Sequence, residues 1–141
     1  MALPFQVSCE RVNPWFYEVG SGRFEQVHGS DIPPFIPGFQ FLLVVNELAD
    51  FLRTLSLEGV RFEDAVLYDP RTGAEARTHT CLRVPGSLGG GDIRNLSDGY
   101  RMVATDDQHY FVSPALKEAL MANGFEYLRF SEGFSDFCGA A

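Results

Sequence analysis

Phe41 to Val45 is an unbroken apolar run bounded by Gln40 and Asn46, the pattern of a short buried strand. Asn46 stands where a helix N-cap belongs. After it Leu48, Phe51, Leu52 and Leu55 recur at spacings of three and four, so they share one face of a helix. Leu57 to Phe62 alternates again and predicts a second strand. Further along, "HYFV" at 109–112 predicts a strand, and Ser113 caps a helix with Pro114 at its first position, where the missing N–H costs nothing. Leu116, Ala119 and Leu120 form that helix's apolar side, Asn123-Gly124 stops it, and Phe125 to Phe130 predicts the closing strand.

Elsewhere the pattern is weaker. "WFYEV" at 15–19, "GSG" at 20–22 and "RFEQVH" at 23–28 read as an N-terminal hairpin. "DIPPFIPGF" at 31–39 has three prolines and a glycine and reads as a rigid connector, because proline fixes φ and removes a donor. "DPRTG" at 69–73 is a turn, and "ARTHTCLRV" at 76–84 alternates as a strand, so a hairpin returns from about Val66 to Val84. Residues 85–99 read as loop. "YRMVA" at 100–104 and "HYFV" read as strands around "TDDQ". The expected fold is a single α+β domain over 1–141, with a mixed or antiparallel sheet and two short helices.

The two strand–helix–strand patterns, 41–64 and 109–132, align without a gap at a shift of 68 residues. Val44/Val112, Leu48/Leu116, Leu52/Leu120, Glu58/Glu126, Arg61/Arg129 and Phe62/Phe130 are identical. Amphipathic helices match by chance, but the shared "E-x-[VL]-R-F" after each helix is not explained that way. One structural unit used twice is the expectation. "FVSPALKEALMANGFEYLRF", 111–130, resembles the C-terminal signature of a bacterial immunity-protein family linked to polymorphic and secreted toxins, and residues 44–70 follow the same pattern. Some members of that family carry two CxxCG motifs, which this chain lacks, so the resemblance transfers no metal role and no catalytic residue. It implies a small cytoplasmic protein that protects its producer by binding a cognate toxin.

Charge narrows the partners. With 11 Lys and Arg against 19 Asp and Glu, the net charge of -8 excludes the basic face that a nucleic-acid binder needs and suits a basic protein partner. The 13 phenylalanines imply a ring-rich core or an apolar surface kept for a partner. Cys9, Cys81 and Cys138 form no CxxC pair and read as free thiols in a reducing compartment. The N-terminus lacks the pattern of a signal peptide, and no apolar run is long enough to span a bilayer, so the expectation is a cytoplasmic protein with no membrane partner.

Candidate chemistry is thin. His28, His79 and His109 are isolated in sequence and read as surface or partly buried side chains. Asp106, Asp107 and His109 bring two oxygens and a nitrogen together, but match an ordinary polar turn as well. "SLGGGD" lacks the lysine of a phosphate loop. Arg61 and Arg129 should point away from the helices, toward solvent or a partner. No metal or cofactor is expected. The acids Glu63, Asp64, Asp106, Asp107, Glu132 and Asp136 are candidates for steering a basic toxin. Phe134 and Phe137 are candidate anchors or, equally, core residues. The leading expectation is an immunity protein that occludes a toxin. A small hydrolase or transferase with a His/carboxylate pocket, or an effector-loading adaptor, are the alternatives.

Overall fold

The computed structural model describes residues 5–9, 15–28, 32–85, 99–105 and 109–132. Within them the chain forms β1 (Phe5–Cys9), β2 (Trp15–Gly20), β3 (Arg23–His28), β4 (Phe35–Gly38), β5 (Phe41–Val45), α1 (Asn46–Arg53), β6 (Arg61–Asp64), β7 (Val66–Asp69), β8 (Ala74–Ala76), β9 (His79–Arg83), β10 (Met102–Thr105), β11 (His109–Val112), α2 (Pro114–Ala122) and β12 (Leu128–Glu132). Three four-stranded sheets result, in the orders β4-β5-β9-β6, β10-β11-β1-β12 and β2-β3-β7-β8. This is the expected α+β fold.

The first two sheets are built alike. In one, β9 lies antiparallel between β5 and β6; in the other, β1 lies antiparallel between β11 and β12. Each helix therefore carries the chain across a central strand to a parallel third strand. An outer antiparallel strand, β4 or β10, completes each set. The registers correspond. Leu82 pairs with Leu42 and Phe62 as Val7 pairs with Tyr110 and Phe130. Thr80 pairs with Val44 and Asp64 as Phe5 pairs with Val112 and Glu132. The repeat in the sequence is a repeat in the fold. The origin of the central strand differs, since β9 follows its unit in the chain and β1 precedes its own.

Alternation along these strands separates two cores. On the helix side, Leu42, Val44 and Leu82 join Val7, Tyr110 and Val112, with Leu48, Leu52, Leu116 and Leu120 from the two helices, in one cluster. Both units thus share a core, and the Phe51 and Phe125 rings meet across it at 5.3 Å. The opposite face of the first sheet, with Ile36, Phe41, Leu43 and Cys81, is covered by Phe16, Phe24 and Leu67 of the third sheet.

Several boundaries differ from the pattern. Residues 35–38 of the expected connector form β4. Pro37 is accommodated because β4 is an edge strand, where a missing N–H need not break a ladder. The strand expected at 57–62 starts only at Arg61, because Ser56 and Gly59 take positive φ (53° and 78°) and turn the chain, while Leu57 is buried in the shared core. The strand expected at 125–130 likewise runs Leu128–Glu132. The hairpin from Val66 to Val84 belongs to two sheets. β7 pairs with β8 around the 69–73 turn, where Asp69 Oδ1 accepts from the Arg71 N–H at 2.9 Å, and then β9 leaves to pair with β5 and β6. The N-terminal hairpin, the Ser113 cap, which accepts from the Leu116 N–H at 3.3 Å, and the Asn123 stop form as expected.

Asn46 does not cap α1. It is the first residue of the helix, and its side chain reaches sideways instead, donating to Arg77 O at 2.9 Å and accepting from Thr80 Oγ1 at 2.8 Å. It fastens the helix start to the strand that the helix crosses. The loop expected at 85–99, apart from Pro85 and Gly99, lies outside the described residues, as does Cys138.

Candidate functional site

The last row of the first sheet holds Gly38, Phe41, Arg83 and Arg61, and the row two residues back ends in Cys81 and Glu63. These two rows are alternate ones, separated by the Leu42–Leu82–Phe62 row that faces the helices, so both face the third sheet. Their polar ends project past the apolar cover of Phe16 and Phe24, to where β2 brings Glu18. Arg83 Nη1 donates to Glu18 Oε1 at 3.0 Å and to Gln40 O at 3.1 Å, Nη2 donates to Glu18 Oε2, and Nε donates to Glu63 Oε1 at 3.1 Å. One planar guanidinium thereby joins β2, β6 and the β4–β5 turn, a task for which its fork of donors suits it. Its side chain is only 19% exposed, and the Glu18 hydrogen bonds, then Glu63, hold its pKa above the ordinary arginine value despite the burial.

Beside this cluster an open cleft of about 520 Å³ is lined by Ser21, Gln40, Arg61, Glu63 and Tyr110, with Arg83 in its wall. All three sheets or their turns contribute. Tyr110 is fixed from below, its hydroxyl donating to Phe41 O at 2.7 Å and Gly38 O at 3.0 Å. Arg61 is held more loosely. Its side chain is 73% exposed, and its Nη1 lies 3.8 Å from Glu63 Oε2. Glu63 therefore divides its two oxygens between a firm partner and a slack one. Phe39, next to Gln40 in the turn at one wall, is 60% exposed.

The duplicated fold offers an internal comparison. In the corresponding registers, Arg83 matches Ser8 and Glu63 matches Ser131, while Arg61 matches Arg129. The second unit builds the same strand trio with serines at both positions. The charged cluster is thus not a requirement of the scaffold; it accompanies the third sheet, which packs on the first unit, and the cleft beside it. Arg129 donates instead to the carbonyls of Glu126 and Leu128, at 2.8 Å and 3.3 Å.

Of the acids expected to face a partner, Glu63 lines the cleft. Asp64 points to the other face of β6, and Glu132 takes the matching position on β12, so neither joins Glu63. Asp106, Asp107, Phe134, Asp136 and Phe137 lie outside the described residues.

His79, expected at the surface or partly buried, is only 4% exposed. Its Nε2 lies 2.8 Å from Pro33 O and its Nδ1 2.8 Å from Thr78 Oγ1. A carbonyl only accepts, so Nε2 carries the proton and Nδ1 accepts from the hydroxyl; the neutral ring pins the 33–34 segment to β9. Burial lowers its pKa below the ordinary 6.5. Cys81, a free thiol at the centre of the sheet, is pushed up to about 12, chiefly by burial. Among the described residues no group of three or more His, Cys, Asp or Glu is placed to hold a metal ion, and no histidine lines the cleft.

Of the side chains at the cleft and its charge cluster, sequence reasoning singles out Glu63 and Arg61 but not Glu18, Gln40, Tyr110 or the role of Arg83. Glu18 and Arg83 are 65 residues apart, with no local pattern linking them. No protein-family model, curated protein or solved structure matches the chain.

Proposed function

We propose that this chain is an immunity-type protein, acting in the cytoplasm, that binds a cognate bacterial toxin or effector and neutralises it by covering the toxin's working surface. The supporting observation is the cleft beside Arg83, whose charge cluster is present on only one of two copies of a common scaffold, with the exposed Phe39 next to its wall. A partly buried charge cluster beside an exposed ring is the composition of a protein-binding surface, where an aromatic anchor supplies affinity and surrounding charges supply register and rate. The net charge of -8 favours a basic protein over a nucleic acid.

The test is co-expression with the products of the genes that flank this one, assayed for a toxin. Restored growth, together with a stoichiometric complex that has lost the toxin's activity in vitro, supports the reading. A complex that leaves toxicity intact but promotes export points to the adaptor role, and absence of both protection and complex removes the proposal.

A further inference from the structure

The cleft also has a polarity, set by the uneven pairing of Glu63. Its Oε1 takes the short bond from Arg83, whereas Oε2 meets only the exposed Arg61 guanidinium at 3.8 Å, beyond hydrogen-bonding distance. Glu18, the other carboxylate of the cluster, has both oxygens on Arg83. The acceptor left open toward the cleft is therefore Glu63 Oε2, with the exposed side chains of Ser21 and Gln40 lining the same space. Arg83 has little to offer an incoming anion, because Glu18, Glu63 and the Gln40 carbonyl already occupy its forks. Arg61 occupies the remaining position without closing it.

We infer that the cleft is a socket for an arginine side chain of a basic protein partner, which takes Glu63 Oε2 and displaces Arg61 from it. A guanidinium carries five donors in a fixed plane and can divide them among the carboxylate oxygen, the serine hydroxyl and the glutamine carbonyl. At long range the net charge of -8 draws a basic partner toward the chain, while the charged groups at the cleft, Arg61 and Arg83 against Glu18 and Glu63, balance one another. Arg61 holds the place until the partner arrives, so it competes with the ligand instead of assisting it. This inference rests on the reading of the chain as a binder of a basic protein, and it names the group that enters.

The sign of the Arg61 effect separates this arrangement from one in which Arg61 itself holds the ligand. Arg53→Ala, which removes an exposed cation from α1, sets the size of the effect of charge alone. Binding of a hexa-arginine peptide to the full chain is measured by calorimetry at low and at physiological salt, with hexa-glutamate as the opposite probe. Glu63→Gln, which keeps an acceptor for Arg83, is expected to weaken hexa-arginine binding about tenfold. The control Glu118→Gln removes the same charge from an exposed site on α2 and is expected to change binding less than about twofold. Arg61→Ala is expected to strengthen binding about threefold or more, because it removes the competitor. Equal losses in Glu63→Gln and Glu118→Gln, a weaker complex in Arg61→Ala, or preferential binding of hexa-glutamate would each overturn the socket. Melting curves of every variant close to that of the parent keep the comparison valid. Protection against the neighbouring toxin without any hexa-arginine binding sinks the socket and leaves the immunity reading standing. Site-specific peptide binding without protection does the reverse.

Discussion

Arg83 holds three parts of the molecule at one point, and its replacement should be felt in all of them. Arg83→Met keeps the length of the stem but leaves Glu18 and Glu63 partly buried without their cation. Their side chains are 29% and 34% exposed, so the full cost of an orphaned buried charge does not apply, and a loss of roughly 1.5–3 kcal/mol is expected by urea denaturation. Neutralising Glu18 in the same chain should recover part of that loss, whereas additive losses would show that the charges do not interact. His79 gives a second expectation. The fold binds the neutral ring and lowers its pKa, so the unfolded chain takes up the proton first as pH falls. Stability from this residue is complete above the ordinary value of 6.5 and declines as pH drops from there toward and through the lower folded value. The urea midpoint should fall between pH 7.5 and 5.5, and fall less in His79→Asn; identical slopes would refute the assignment.

At the scale of elements, the sequence was most legible where a local pattern and the tertiary fold ask for the same thing. Leu48, Leu52, Leu116 and Leu120 are buried on the helix faces their spacing predicts, and Ser113 caps its helix because hydroxyl and backbone donor are three residues apart. Legibility failed where the deciding partner is distant. Pro37 lies in a strand because β4 is at an edge, and Asn46 points at β9 instead of capping its own helix, facts that belong to sheet order. The cleft is the extreme case, for its walls come from segments with no shared local signal. Gly22 shows a similar dependence on a distant neighbour. In the β2–β3 turn it takes φ +75°, a Cβ there would lie 2.8 Å from Asp64 O, and its own carbonyl accepts from the Val66 N–H at 2.8 Å. Gly22→Ala therefore combines backbone strain with a clash against main chain, and should cost about 1–3 kcal/mol and loosen the third sheet. A variant as stable as the parent would mean that the turn does not seat the hairpin on β6 and β7.

At the scale of the whole molecule, the two units are copies that do not stand apart, since their helix faces meet in one cluster. Leu48 and Leu116 occupy matching positions and are 1% and 0% exposed. Truncation of either to alanine should cost about 2–5 kcal/mol. The two variants should also share one cooperative transition seen equally by circular dichroism and by fluorescence. Two separable transitions, with only one shifted by each substitution, would instead describe two independent halves.

The position of β1 has a consequence during synthesis. The first unit receives its central strand from β9, soon after β6 has been made. The second unit is completed by β1, which precedes every other described strand, and Cys9 pairs with Leu128 near the end of the described chain. With ~120 residues between them and translation at about 5–20 residues per second, the ribosome separates the two by roughly 6–24 s. For most of that interval β1 is a strand awaiting both of its neighbours, while the first unit already has the segments it needs. A chain refolded from denaturant has all its strands from the start, so nascent and refolding chains should complete the two units on different schedules.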